Sequence, residues 1–149
     1  MASRKPSLLL AVAILAFLLA LTYLASPSLA SLTVHRVVEI HQLHLTIYDE
    51  VASSKPTVLT VAVPTSMDDG SLISIYVKQG GNYSEPLKLG GLSLQGLNLT
   101  TYLVKVDGQA TVIYTYLLLD HGLNRTLLMP LYPLVSEALD GCLVEVKYP

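Results

Sequence analysis

An all-β fold, a single β-sandwich of about eight short, mostly antiparallel strands behind an N-terminal hydrophobic helix, is what this chain predicts. Three observations carry it. Apolar residues recur with period two through most of residues 31–149, as in strands with one buried face. Turn-forming groups of Gly, Pro, Asp, Asn and Ser interrupt that alternation about every 8–12 residues, as sandwiches and barrels require. An unbroken apolar run over residues 8–21 follows Arg4 and Lys5, and it stands apart from the alternating remainder.

The N-terminal run has the order of a secretory leader: a basic start, a greasy middle and the small-residue end Ala25-Ser26-Pro27-Ser28-Leu29-Ala30. Cleavage between Ala30 and Ser31 puts Ser28 and Ala30 at the positions a signal peptidase reads, and Pro27 keeps the backbone from continuing as helix. Uncleaved, residues 8–24 reach the lower limit of a bilayer span, about 17–25 residues, and anchor the chain. Either way the expectation is extracytoplasmic: residues 1–30 a signal peptide or membrane anchor, residues 31–149 one β-sandwich domain outside.

Cleavage would leave 119 of the 149 residues, a single-domain length. It would remove two basic residues and no acidic one, moving the net charge from −2 to −4. Mild, scattered acidity without a Lys/Arg cluster excludes nucleic acid as the expected partner. Cys142 is the one cysteine, so no internal disulfide is available. It reads as a buried small hydrophobe in a strand, or as one half of an intermolecular disulfide.

Within 31–149 the elements follow in order. Val34, Val38 and Ile40 share one parity and Leu43, Leu45, Ile47 and Val51 the other. A strand cannot change its core face without a bulge or turn, which gives two strands, about 33–41 and 43–52, bent at His41-Gln42. Residues 57–63 form the next strand, ending at Pro64, then Met67-Asp68-Asp69-Gly70 turns. Residues 71–78 follow, with Ile73, Ile75 and Val77 on one face and Tyr76 on the other, and residues 79–86 read as a loop. Residues 87–99 mix periods around their glycines and predict one or two irregular strands.

Asp107-Gly108 between the arms 101–106 and 109–119 is the strongest hairpin signal, since Asp-Gly tolerates the positive φ of a two-residue turn. Both faces of the second arm are apolar, which places it centrally. Residues 120–124 turn, 126–131 are an apolar strand, 135–139 make a helical turn, and 142–148 close the chain as a strand.

Candidate chemistry is sparse. Asn82, Asn98 and Asn124 head three Asn-x-Ser/Thr triplets and are the candidate N-glycosylation acceptors of an exported chain. His35, His41, His44 and His121 lack a recognised metal spacing, and in an unbroken strand His41 and His44 face opposite ways. Asp68-Asp69 lacks the fuller oxygen set calcium needs. Glu39, Asp49 and Glu50 read as outward charges on edge-type strands. No Gly-x-Ser-x-Gly elbow is present. No catalytic, metal or cofactor-binding residue is assigned, and the expectation is a non-enzyme with no cofactor. The tyrosines read as cross-strand packing residues, or else as an exposed platform for sugar rings.

The run from Thr33 through Val51, with Arg36-Val37-Val38-Glu39-Ile40 and the acidic pair Asp49-Glu50, resembles a β-hairpin of ribophorin-I-type proteins, non-catalytic subunits of the oligosaccharyltransferase. Similar hairpins occur in exported archaeal proteins. The resemblance covers about twenty residues and implies a membrane-proximal, non-catalytic β-sandwich. It carries over no functional residue. Ribophorins are several times longer and have a membrane helix after their β domains.

The functional expectation is therefore an exported domain at the cell surface or envelope that works through protein–protein contact or self-association. The extended segment 31–40 is a candidate donor strand for a neighbour's sheet edge. The alternative is an exported carbohydrate-binding module or hydrolase.

Overall fold

The computed structural model describes residues 30–67, 70–94, 96–118, 130 and 132–148. The expected leader helix, the turn at Asp68-Asp69, His121, Asn124 and the expected strand 126–131 (Pro130 apart) lie outside the described residues. Among the described residues no helix is long and apolar enough to cross a membrane.

The fold is all-β, as the alternation predicts, but with eleven strands rather than eight among the described residues. They are β1 (Leu32–Ile40), β2 (His44–Ser53), β3 (Thr57–Pro64), β4 (Ser66–Met67), β5 (Gly70–Gln79), β6 (Asn82–Ser84), β7 (Leu87–Leu94), β8 (Leu97–Val106), β9 (Gln109–Leu118), β10 (Leu134–Val135) and β11 (Gly141–Lys147). The larger sheet runs β11-β1-β2-β9-β5-β4, with β6 also on β5, and the smaller runs β10-β3-β8-β7. All pairings are antiparallel except β1 with β11.

The sheets pack face to face through one core. The larger sheet supplies Leu32, Val34 and Val38 from β1, Leu45, Ile47 and Val51 from β2, and Val112, Tyr114 and Tyr116 from β9. The smaller supplies Leu59, Val61 and Val63 from β3 and Tyr102, Val104 and Val106 from β8. The parity change after Ile40 is present: even residues of β1 and odd residues of β2 face inward, joined by a bend at residues 41–43. β9 lies centrally, between β2 and β5.

Five local expectations are corrected. Asp107-Gly108 does not close a hairpin, because β8 and β9 belong to different sheets. Gly108 has φ +74°, the Gln109 amide donates to the Asp107 carbonyl at 3.1 Å, and the Ser53 amide donates to the Gly108 carbonyl at 2.8 Å. A two-residue hairpin would pair residue 106 with 109 and so set the even apolar row of one arm beside the odd row of the other. The even row of each arm is the buried one, and the corner between the two sheets turns both into one core.

A two-residue hairpin turn is found at Gly80-Gly81 instead. Gln79 pairs with Asn82 across it, and φ values of +56° and +84° are those of a type I′ turn, open to glycine at both positions. The expected loop 79–86 thus contains β6. Residues 87–99 are not irregular: β7 and β8 are register-paired along their length, with one bulge between Lys88 and Gly90. A second bulge between Leu72 and Ser74 turns Ile73 to solvent and brings Leu72 to the core with Ile75 and Val77. Residues 135–139 form no helical turn; β10 pairs with β3 and bends follow.

Candidate functional site

Ser31 and Leu32, just after the expected cleavage junction, are hydrogen-bonded into the sandwich. The Ser31 amide donates to Ser54 Oγ at 2.9 Å, and the Leu32 amide donates to Asp140 Oδ2 at 2.8 Å. The Asp140 amide returns a bond to the Leu32 carbonyl. Hydrogen bonds from the Ser31 hydroxyl and the Leu32 amide hold the Asp140 carboxyl below the ordinary carboxylate range. Ala30 just precedes this knot and is half-buried.

The inward alternation of β1 continues through a charged residue. Arg36 follows Val34 and precedes Val38 on the core side, and Asp49 interrupts the inward row of β2 directly opposite. Arg36 Nε and Nη2 donate to Asp49 Oδ1 and Oδ2, each at 2.6 Å, and Nη1 donates to the Pro130 carbonyl at 2.9 Å. The Tyr114 hydroxyl also hydrogen-bonds Asp49. Burial works against the Arg36 charge, but the bonds and charge of Asp49 prevail and hold its pKa above the ordinary value. Burial, and then Asp49, push the Tyr114 hydroxyl well above its ordinary pKa. Tyr116 is raised by burial and donates to the Pro64 carbonyl at 3.0 Å. Asp49 is therefore not an outward carboxylate, and β1 and β2 are interior rather than edge strands. The cluster is saturated by its own bonds and ties β1, β2, β9 and Pro130 together.

The other sequence candidates are scattered. Glu39 and Glu50 are on the outer face of the larger sheet, away from Asp49 on the inner face. The bend at 41–43 stacks the rings of His41 and His44 at 4.3 Å, a convergence that strand geometry alone forbids. Among the described residues no group of three or more His, Cys, Asp or Glu side chains is placed to hold a metal. Asn82 and Asn98 are exposed, on β6 and β8. Cys142 is half-buried on β11, opposite Val34, with its thiol pushed up by burial.

Two surfaces remain, and the sequence singled out neither. The first is a groove of about 720 Å³ on the outer face of the larger sheet, lined among others by His35, Glu50, Lys78, Gln109, Thr111 and Leu143. Register sets Leu143, His35, Glu50, Thr111 and Lys78 in one row across β11, β1, β2, β9 and β5. His35 Nδ1 lies 3.2 Å from Glu50, while the buried Nε2 lies 3.6 Å from Glu145 and has no hydrogen-bond partner among the described residues.

The second surface is the outer face of the smaller sheet. Leu87, Leu92 and Leu94 of β7 pair with Leu103, Leu99 and Leu97 of β8, on the side away from the core. The bulge at Leu89 corrects the parity between the two leucine pairs, so all four leucines of β7 face outward, 47–64 % exposed. Lys88, Gly91 and Ser93 share the core-facing side with Tyr102, Thr100 and Asn98. β7 is thus exposed along its length, Gly90 apart, with its leucines on the outer face; it lies at the end of its sheet with its outer edge free of any strand among the described residues. Exposed Val58 extends the apolar face onto β3. The signal in the sequence was the Leu-Lys-Leu-Gly-Gly-Leu-Ser-Leu run, which needs the bulge to become legible as a single strand.

No protein-family model matches this chain, and no match is found among curated proteins.

Proposed function

We propose that this chain is an exported, non-catalytic β-sandwich domain at the cell surface or envelope that acts through protein–protein contact, including self-association by strand addition. One observation carries the reading: the edge strand β7, with four exposed leucines on its outer face. Contiguous exposed apolar surface marks interaction sites, and an unpaired strand edge is a template for another strand. Among the described residues the carboxylates are dispersed: Asp49 is held inside by Arg36, while Glu39 and Glu50 are on the outer face. The likeness of residues 33–51 to a ribophorin-type hairpin points the same way. Residues 31–40 are not the donor segment, because β1 is paired on both sides within its own sheet; among the described residues β7 and β11 are the longest edge strands, the other edges being the two- and three-residue β4, β6 and β10.

Sedimentation velocity over a concentration series tests the reading. A rise in mass with concentration is expected, and a strictly monomeric species at the highest concentration overturns it. Mass spectrometry of the N-terminus and of Asn82, Asn98 and Asn124 reads export, cleavage and glycosylation together.

The groove across β1, β2 and β9 favours a second reading, a carbohydrate-binding module. Its donors and acceptors suit hydroxyl-rich ligands, while Tyr114, Tyr116 and Tyr102 are spent in the core. Glycan-array binding that is lost on Glu50→Gln is the outcome this reading expects, and a blank array ends it.

A further inference from the structure

We propose that two copies of this chain pair antiparallel through β7, with Gly91 on the two-fold axis and leucine set against leucine on either side. The inference rests on the self-association reading above and names the surface that performs it. Residues 87–94 read Leu-Lys-Leu-Gly-Gly-Leu-Ser-Leu, a sequence whose leucines are placed symmetrically about the glycine pair. A two-fold dimer brings one patch against itself, so residue i meets j and j meets i. A strand with such internal symmetry is complementary to its own reverse.

The bulge decides whether that symmetry can be used. Antiparallel partners share a face. In an unbulged strand, reversal about the midpoint of Gly90 and Gly91 would pair residues that point to opposite sides. With Leu89 and Gly90 together occupying one position, as they do against Thr101 of β8, the faces agree. Gly91 then meets Gly91 of the second copy, Leu92 meets the Leu89-Gly90 bulge, Ser93 meets Lys88 and Leu94 meets Leu87. Moving the axis one position either way leaves Leu94 or Leu87 without a facing leucine.

Bulges and lysines are also devices that discourage edge pairing. Here the same bulge puts all four leucines on one face, and Lys88 falls opposite a serine. The two Lys88 side chains then sit four positions apart along the strands, about 13 Å at ~3.3 Å per residue. Gly91 has no atom closer than 3.8 Å to where a Cβ would lie, so within one copy the space does not require glycine there. At the axis the missing side chain lets two backbones approach across the core-facing side.

Cross-linking of the full chain tests the register. In a Cys142→Ser background, Leu87→Cys and Leu94→Cys are made singly. A short bis-maleimide reagent is expected to join the two variants when mixed, and to join neither by itself. Like positions would lie about 20 Å apart, six positions at ~3.3 Å, whereas unlike ones face each other. Equal cross-linking in either single variant, or none in the mixture, overturns the pairing. Leu92→Lys is expected to weaken association at least tenfold by sedimentation, with an unchanged circular-dichroism spectrum. If the parent chain associates and Leu92→Lys associates equally well, the β7 pairing fails while self-association stands. A monomeric parent chain ends both.

Discussion

β2 buries a carboxylate and β7 exposes four leucines, so the two strands break the inside-apolar rule in opposite directions. The difference lies in where each finds its partner. Asp49 is answered within the chain by both arms of the Arg36 guanidinium and by Tyr114. The β7 leucines are about half exposed or more on their outward side, while Lys88 and Ser93, also exposed, share the side of Tyr102 and Asn98. A buried charge that is hydrogen-bonded within the chain completes a fold and fixes its register, whereas exposed leucines on an edge strand are, in the proposal above, completed by another molecule.

The largest expected effect comes from breaking the completed side. Asp49→Ala leaves the Arg36 guanidinium buried without its counter-ion, a loss of about 3–5 kcal/mol. Chemical denaturation measures it. The comparison sharpens with the double variant Arg36→Met/Asp49→Leu. Replacing a buried ion pair with packed apolar groups is often neutral or stabilising, so the double variant is expected to recover most of the loss. A double variant as unstable as Asp49→Ala alone would show that the interior cannot repack around apolar groups at these two positions.

An alkaline limb of stability follows from the same cluster. The Tyr114 and Tyr116 hydroxyls have folded pKa values raised by burial, while in the unfolded chain a tyrosine titrates near pH 10, about its reference value. Between the unfolded and folded values the unfolded chain has released protons that the folded chain still holds. Their contribution is therefore whole below pH ~10 and is lost as pH rises toward the folded values. Each tyrosine adds up to about 1.4 kcal/mol per pH unit to the slope. Tyr114→Phe and Tyr116→Phe should each flatten it, as read by denaturation midpoints at successive pH values above 10.

Much of this architecture was legible from parity alone. The two-period alternation gave the all-β class, and the parity change after Ile40 gave the bend between β1 and β2. The same arithmetic held two further answers. A bend at 41–43 pairs residue 36 with 49, and both interrupt the inward apolar rows of their strands, so the buried ion pair was readable once the hairpin was drawn. The even row is the more apolar one on both sides of Asp107-Gly108, which argues against a hairpin there, though the dipeptide is a strong turn signal. Bulges hide from parity by construction, since each inserts one residue and inverts the pattern beyond it. That is why Ile73 read as core and β7 as irregular.

The smallest expected effect on stability belongs to the uncompleted side, and it separates the two strands most sharply. Leu92 is nearly half exposed and paired with Leu99, itself buried between Leu92 and Pro64 by register. Leu92→Lys can keep its aliphatic stem over Leu99 with the ammonium in water. Surface substitutions of this kind change folding free energy by about 0.5 kcal/mol or less. The unfolding midpoint at high dilution, where association is absent, should hardly move, against the several kcal/mol expected for Asp49→Ala. A large loss at Leu92 under dilution would mean that β7 contributes to the stability of the single chain. Its leucines would then be structural cover for Leu99, and the contrast with β2 would collapse.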